Sequence, residues 1–257
     1  MDKSSFGGVV VAMGGILLGL TLEGGKVAQI IQPTAAMIVF GGTLGAVMIQ
    51  FPLPVVLAAF GRLGSVFIDK SKDPHAQIGE IVGYAQKARK EGIVSLDSEV
   101  EKINDPFLKK SLMLAVDGTE PQELQKMMEL ANQVEMQEKV ATVFEAAGGY
   151  SPTVGIIGAV LGLIQVMQHL DNITEVGRGI AVAFVATIYG VGLANLICLP
   201  MAGKLKIRHR EEQIVKEMIM EGVVSILEGM NPRMLEMKLR TFLFAEQPSP
   251  VLQETMA

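Results

Sequence analysis

The sequence predicts an all-α membrane protein in which four transmembrane helices carry a helical cytoplasmic domain, formed by the segment between spans two and three plus the C-terminal tail. Three observations predict it. Uncharged apolar runs occur four times, within Ser4 to Leu22, Val27 to Gly61, Ala146 to Gln168 and Gly179 to Gly203. Each is long enough for a hydrocarbon core, which takes about 20 apolar residues of helix. The charges are also segregated. Hydrophobic residues make up 49% of the 257 and charged residues 19%, yet the charged ones fall mostly in 62–145 and 204–246. Finally, small residues recur four apart, at Gly155 and Ala159, Gly158 and Gly162, then Ala186, Gly190 and Ala194. Each set lines one helix face along which two backbones can approach closely. A glycine-rich core pair in a soluble protein is the competing reading, and uncharged runs this long make poor soluble helices.

Four segments follow: 1–60 as the first transmembrane helix pair, 61–148 as the cytoplasmic helical domain, 149–203 as the second pair, and 204–257 as C-terminal helices and tail. The first run is broken only by glycines, with Gly15 and Gly19 as a further close-approach pair. A cleaved signal peptide fits poorly, because Lys3 is balanced by Asp2 and no small-x-small site precedes Glu23. Residues 23–32 form a polar link. Pro33 stands where a helix can begin, and Pro52 with Pro54 where one can bend or end, which puts the second span at Thr34 to Phe51. Arg62, Lys70 and Lys72 follow the second span and Lys204, Lys206, Arg208 and Arg210 the fourth, while the two intervening links are poor in positive charge. The positive-inside rule then places both termini in the cytoplasm.

The middle segment reads as helical. Asp73-Pro74 is an N-cap with proline at the first helical position, Ile78, Ile81, Val82, Ala85 and Ala88 recur at helical spacing, and Gly92 closes the element. Lys87, Arg89 and Lys90 ride at its C-terminal end, where positive charge complements the helix dipole and also suits a solvated face. A short acidic helix is expected over Leu96 to Ile103, and a third from Asp105-Pro106 to Asp117-Gly118. Thr119 with Gln122 suggests a capping box for a long helix with a Leu124, Met127, Met128, Ala131 and Val134 stripe, running almost to Gly148-Gly149. Beyond Pro200, Lys204 to Leu227 is amphipathic and expected to pack on the middle segment, and Asn231-Pro232 starts a last helix with Leu235, Leu239 and Phe242.

Searches for catalytic chemistry return nothing. The chain has no phosphate-binding glycine loop followed by lysine, no nucleophile elbow and no paired metal-ligand spacing, so neither a catalytic residue nor a metal or other cofactor is expected. A single cysteine, Cys198, excludes an intramolecular disulfide, and a net charge of −5 gives no basic face for nucleic acid. None of the four spans holds Asp, Glu, Lys, Arg or His, although transporters and pumps usually relay ions through such residues. If the chain conducts protons, the titrating carboxylate comes from another subunit. Thr153, Thr187, Tyr189, Asn195 and the two prolines would then line or flex around it.

Several motifs together carry a resemblance. Ala88-Arg89-Lys90-Glu91-Gly92, the run from Ser151 to Ile164, Ala183 to Gly190, Asn195 and Pro200, on four spans with a large segment between the second and third, resemble the MotA/PomA family of flagellar stator subunits. The resemblance covers nearly the whole chain. It implies a subunit of the bacterial inner membrane that assembles as a homo-pentamer around a dimeric MotB-type B subunit, whose transmembrane aspartate takes up the ion and which anchors the complex to peptidoglycan. Ion flow turns the ring, and cytoplasmic charges push on the rotor protein FliG.

Residue by residue, Arg89 matches the family's rotor-contacting arginine. Asp97 falls where the family usually has glutamate, one methylene longer. Pro152 and Pro200 match the prolines placed near the aspartate of the B subunit, Thr187 matches a threonine facing the ion path, and Tyr189 is taken as a further lining residue. Gly155, Gly158, Gly162 and Gly190 are helix-packing positions. Sodium-driven relatives tend to have threonine at position 159; Ala159 offers no oxygen to a partly dehydrated sodium ion, so protons are expected as the translocated ion. Two neighbouring alternatives stand beside this reading: an ExbB/TolQ-like energiser, expected to have three spans, and a sodium-driven PomA-like stator. A secondary transporter would need an internal repeat and a polar midplane site, and neither is found; a scaffold without ion flux is the plainest alternative.

Overall fold

The computed structural model describes residues 3–64, 73–133 and 137–244, and among them every regular element is helical. In chain order these are α1 (Lys3–Leu22), α2 (Pro33–Gln50), α3 (Leu53–Gly61), α4 (Pro74–Glu91), α5 (Asp97–Val100), α6 (Pro106–Val116), α7 (Pro121–Gln133), α8 (Gln137–Gln168), α9 (Ile173–Gly192), α10 (Leu199–Leu227) and α11 (Pro232–Phe244). Short 3-10 turns occupy Val27–Ile30 and Ile93–Leu96, and a π-helical turn over Leu193–Cys198 joins α9 to α10 without a break. Four helical stretches are long and apolar enough to cross a membrane: Ser4–Leu22, Pro33–Gln50, Lys139–Gln168 and Ile173–Leu227. The chain divides into two compact units, Met1–Lys70 with Met136–Arg208 and Ser71–Glu135 with His209–Ala257.

In the first unit α8 packs along α9, and α2 packs against both. Pro33 starts α2 with a preset φ and no N–H to leave unpaired. Its buried face supplies Ala35 and Val39 to a cluster with Val185 and Ala186 of α9. Further along, Val47 joins Val55, Val56 and Ala59 of α3 in a second cluster with Val140, Ala141, Val143 and Phe144 of α8 and Ala202 and Leu205 of α10. The helix expected to run almost to Gly148-Gly149 is continuous with the third span: α8 runs unbroken from Gln137 through Gly148, Gly149 and Pro152 to Gln168. Whether α7 continues into it lies outside the described residues, as do Lys70, Lys72, Val134 and the tail beyond Phe244. The Gly15 and Gly19 pair of α1 meets nothing: β-carbons built there find no atom within 4 Å.

The second unit is a soluble-type helical core. Asp73 caps α4 by accepting the His75 N–H at 3.0 Å, and α4 buries Ile78, Ile81 and Ala85. Gly92 ends it at φ +83°, a left-handed conformation that glycine adopts without strain. The expected helix over Leu96 to Ile103 is shorter: the 3-10 turn leads into α5, which stops at Val100, and Ile103 tucks into the core from the turn beyond. Asp105 caps α6 through the N–H groups of Phe107 and Leu108, at 3.0 and 3.1 Å. Thr119 does not cap the next helix. There the Leu124 N–H bonds to the Glu120 carbonyl at 2.9 Å, so the chain turns helical one residue later, with proline at the first position. Leu124 and Met128 are fully buried, but Met127 of the expected stripe is exposed. Met218, Ile219 and Val223 of α10 and Leu235 and Leu239 of α11 complete this core.

Candidate functional site

The tightest packing in the first unit is the seam between α8 and α9, and glycine makes it possible. A β-carbon built on Gly155 would lie 2.9 Å from the Ala186 carbonyl oxygen, one on Gly162 2.8 Å from the Ala183 nitrogen, and one on Gly190 2.5 Å from the Ser151 oxygen. Gly158 would meet the Ala186 β-carbon at 2.7 Å and Ile38 of α2 at 3.3 Å. All four expected packing glycines therefore meet a neighbouring backbone or small side chain, as small-residue interfaces in membranes require. Gly179, which stands four before Ala183, belongs to the same seam: its β-carbon would sit 2.8 Å from the Gly162 oxygen.

Ala159 lies beside this seam and is half-buried. Thr187 is half-buried too, and its hydroxyl donates back to the Ala183 carbonyl at 3.2 Å. Thr153 and Asn195 are exposed and return their polar groups to their own helices, at Tyr150 O (2.8 Å) and Val191 O (3.0 Å). Ser151 is fully buried, and its Oγ finds no hydrogen-bond partner among the described residues, nor does the hydroxyl of the buried Thr43 on α2. No group of three or more potential metal ligands occurs among the described residues.

Tyr189 behaves differently from a free lining residue. Its hydroxyl donates to the Ile30 carbonyl at 2.6 Å and accepts the Gln32 N–H at 3.3 Å, and its ring lies 6.0 Å from that of Phe40. The side chain thus satisfies two backbone groups in the link before α2 and ties that link to α9. No local pattern announces a bond between residues 159 apart.

Each proline acts on its own helix. Pro152 sits inside α8 without ending it, and removes the backbone bond that its position would donate to the Gly148 carbonyl. Pro200 stands one residue beyond the π turn, after Leu199. It cannot donate to the Leu196 carbonyl, and widening the preceding turn to i→i+5 bonds accommodates the lost bond and the ring. A proline set within an otherwise continuous apolar run, eight residues past Gly192, was the available signal for that turn.

In the second unit an ion pair bridges the turn that ends α4, and neither Arg89 nor Asp97 belongs to it. Arg89 and Asp97 are both exposed, and neither makes an ion pair among the described residues. Lys87 closes the turn instead, bonding Glu99 at 2.8 Å, and Lys102 reaches the other oxygen of Glu99 at 3.3 Å. The hydrogen bond from Lys87, then that from Lys102, holds the Glu99 carboxyl below the usual carboxylate range, and the same bond raises Lys87.

Comparison with known proteins bears on both units. Residues 99–218 match the MotA/TolQ/ExbB proton channel family and residues 6–92 the motility protein A N-terminal family. Motility protein A of Bacillus subtilis is 35% identical over 96% of this chain and 95% of its own length. Among solved structures, C. jejuni MotAB superposes with a TM-score of 0.89 at 33% identity, covering 96% of this chain and 98% of the other. The flagellar MotAB stator complex from Bacillus subtilis gives 0.85 at 32%, covering 98% and 99%.

Proposed function

Because the chain belongs to the MotA/TolQ/ExbB proton channel family, we propose that it is the ion-conducting A subunit of a bacterial flagellar stator, working with a MotB-type partner. It resides in the inner membrane with both termini in the cytoplasm, a reading supported by the positive residues at Arg62 and at Lys204 to Arg210. The observation that carries the proposal is chemical. A chain of an ion-channel family holds no Asp, Glu, Lys, Arg or His between 146 and 168 or between 179 and 203, so the group that takes up the ion belongs to the partner's span. Four candidate spans favour a stator subunit over a three-span energiser.

The α8–α9 seam has no room for an ion between its backbones, so the ion runs along the pair rather than through it. Ala159 and Thr187 line that route against a dimeric B subunit, within a ring of five copies. Pro152 and Pro200 let α8 and the α9–α10 rod bend at the level where the partner's aspartate changes protonation, because each removes a backbone hydrogen bond. Arg89 and Asp97, exposed and unpaired, carry the resulting motion to FliG. Tyr189 anchors the wall and takes no part in conduction.

Ala159 supports protons as the translocated ion. With no oxygen at this position, dehydration of sodium goes uncompensated, whereas a proton needs only the partner's carboxylate. Co-expressed with its B subunit in cells lacking stators, the chain is expected to restore swimming that is unchanged when sodium is removed and is abolished by a protonophore. Swimming that stops on sodium removal alone would overturn the assignment.

A further inference from the structure

Among the described residues one ion pair joins α8 to α10, the helix that continues α9, and the stator reading leaves it without a role. Lys206 of α10 bonds Glu145 of α8 at 2.6 Å, with both side chains about half exposed. Glu145 lies one turn before Gly148, where Leu199 packs so closely that a β-carbon on the glycine would come within 2.7 Å of it. Around the pair, Ala141 and Phe144 of α8 bury against Ala202 and Leu205 of α10. The seam that starts at Gly162 and Gly179 is therefore continuous down to Glu145 and Lys206.

Position along the helices gives the pair its meaning. Glu145 precedes Pro152 on α8, and Lys206 follows both Pro200 and the π turn. Above the pair, each helix has lost a backbone bond and can bend or turn about its axis. The contacts between them there are small and apolar, and such contacts resist separation better than they resist rotation. A charge-assisted hydrogen bond is directional.

We propose that Glu145 and Lys206 form a clasp that fixes the rotational register of α8 against α10 on the far side of both prolines, so that a bend at either proline turns the two helices together. Both are positioning residues. The pair adds little to folding, since a half-exposed ion pair is screened by solvent. Its consequence for torque rests on the stator reading.

The test uses the full chain with its B subunit in cells lacking stators. Wild type must first restore swimming; if it does not, the stator reading fails, whatever the clasp does. Given that, Glu145→Lys and Lys206→Glu should each reduce swimming several-fold while membrane level and co-purification of the B subunit stay normal. The double reversal, Glu145→Lys with Lys206→Glu, should recover most of the loss, and Lys206→Arg should swim as wild type. Should the single reversals lower the membrane level, Glu145→Gln and Lys206→Gln, compared per molecule in the membrane, still decide the matter. Wild-type swimming by the single reversals, or by both glutamine variants, would overturn the clasp. So would a double reversal no better than the worse single one, the result expected if Glu145 itself relayed protons.

Discussion

Arg89 and Asp97 stay outside the ion pairing that surrounds them, because Lys87 and Lys102 already satisfy Glu99. Two exposed, opposite and uncommitted charges flanking one turn suit an external partner better than they suit folding. Arg89→Glu and Asp97→Lys should therefore leave membrane level unchanged, exposed charges being worth about 0–1 kcal/mol. They should depress swimming, and a compensating reversal on FliG should restore part of it, since such contacts depend on sign. Normal swimming by both variants would return the two residues to plain surface. Tyr189→Phe makes the opposite prediction. Removing the hydroxyl leaves the Ile30 carbonyl and the Gln32 N–H unpaired, a loss of about 1–3 kcal/mol, visible as a lower thermal midpoint of the purified complex. A variant with unchanged stability and impaired conduction would make Tyr189 an ion-path residue after all. The motif around Arg89 was readable from sequence, but the pairing was not. Residues 87 and 89 lie on different sides of α4, and which side meets α5 is decided by the burial of Ile78, Ile81 and Ala85.

Helices in this chain are shaped by what their glycines and prolines permit, and here the sequence was most informative. The four-residue spacing of small residues identified the seam faces, because it puts them on one side whatever the partner. The small residues singled out did not include Gly179, which stands four before Ala183 and faces Gly162 across the seam. A helix running almost to Gly148-Gly149 was legible, but its passage through Pro152 without a break was not, since helix-breaking residues end helices in water but are tolerated where neighbouring groups satisfy the freed backbone. Gly190 and Gly192 separate packing from propensity. Gly190→Ala must displace the Ser151 backbone and should cost about 1–3 kcal/mol, whereas a β-carbon on Gly192 meets nothing within 4 Å and should be neutral or gain up to about 1 kcal/mol of helix propensity. Equal thermal midpoints for the two variants would show that the seam can open to admit a methyl group.

At the scale of the whole molecule, segregation of charge divides the chain into an apolar bundle and a charged helical unit, and both were visible in composition alone. The boundaries were not. One helix, α10, carries the chain from the first unit into the second at Arg208, because its apolar positions before and after that point serve two different cores. The proposed function divides along the same line: a bundle whose uncharged apolar runs hold no acid, and a charged unit proposed to meet the rotor. The absence of a titrating group in the spans is the central claim, and proton flux into sealed vesicles tests it most directly. Vesicles holding this chain with its B subunit should acidify under an applied gradient, while vesicles holding this chain alone, or paired with a B subunit whose transmembrane aspartate is replaced by asparagine, should not. Sustained proton flux through this chain alone would contradict the account.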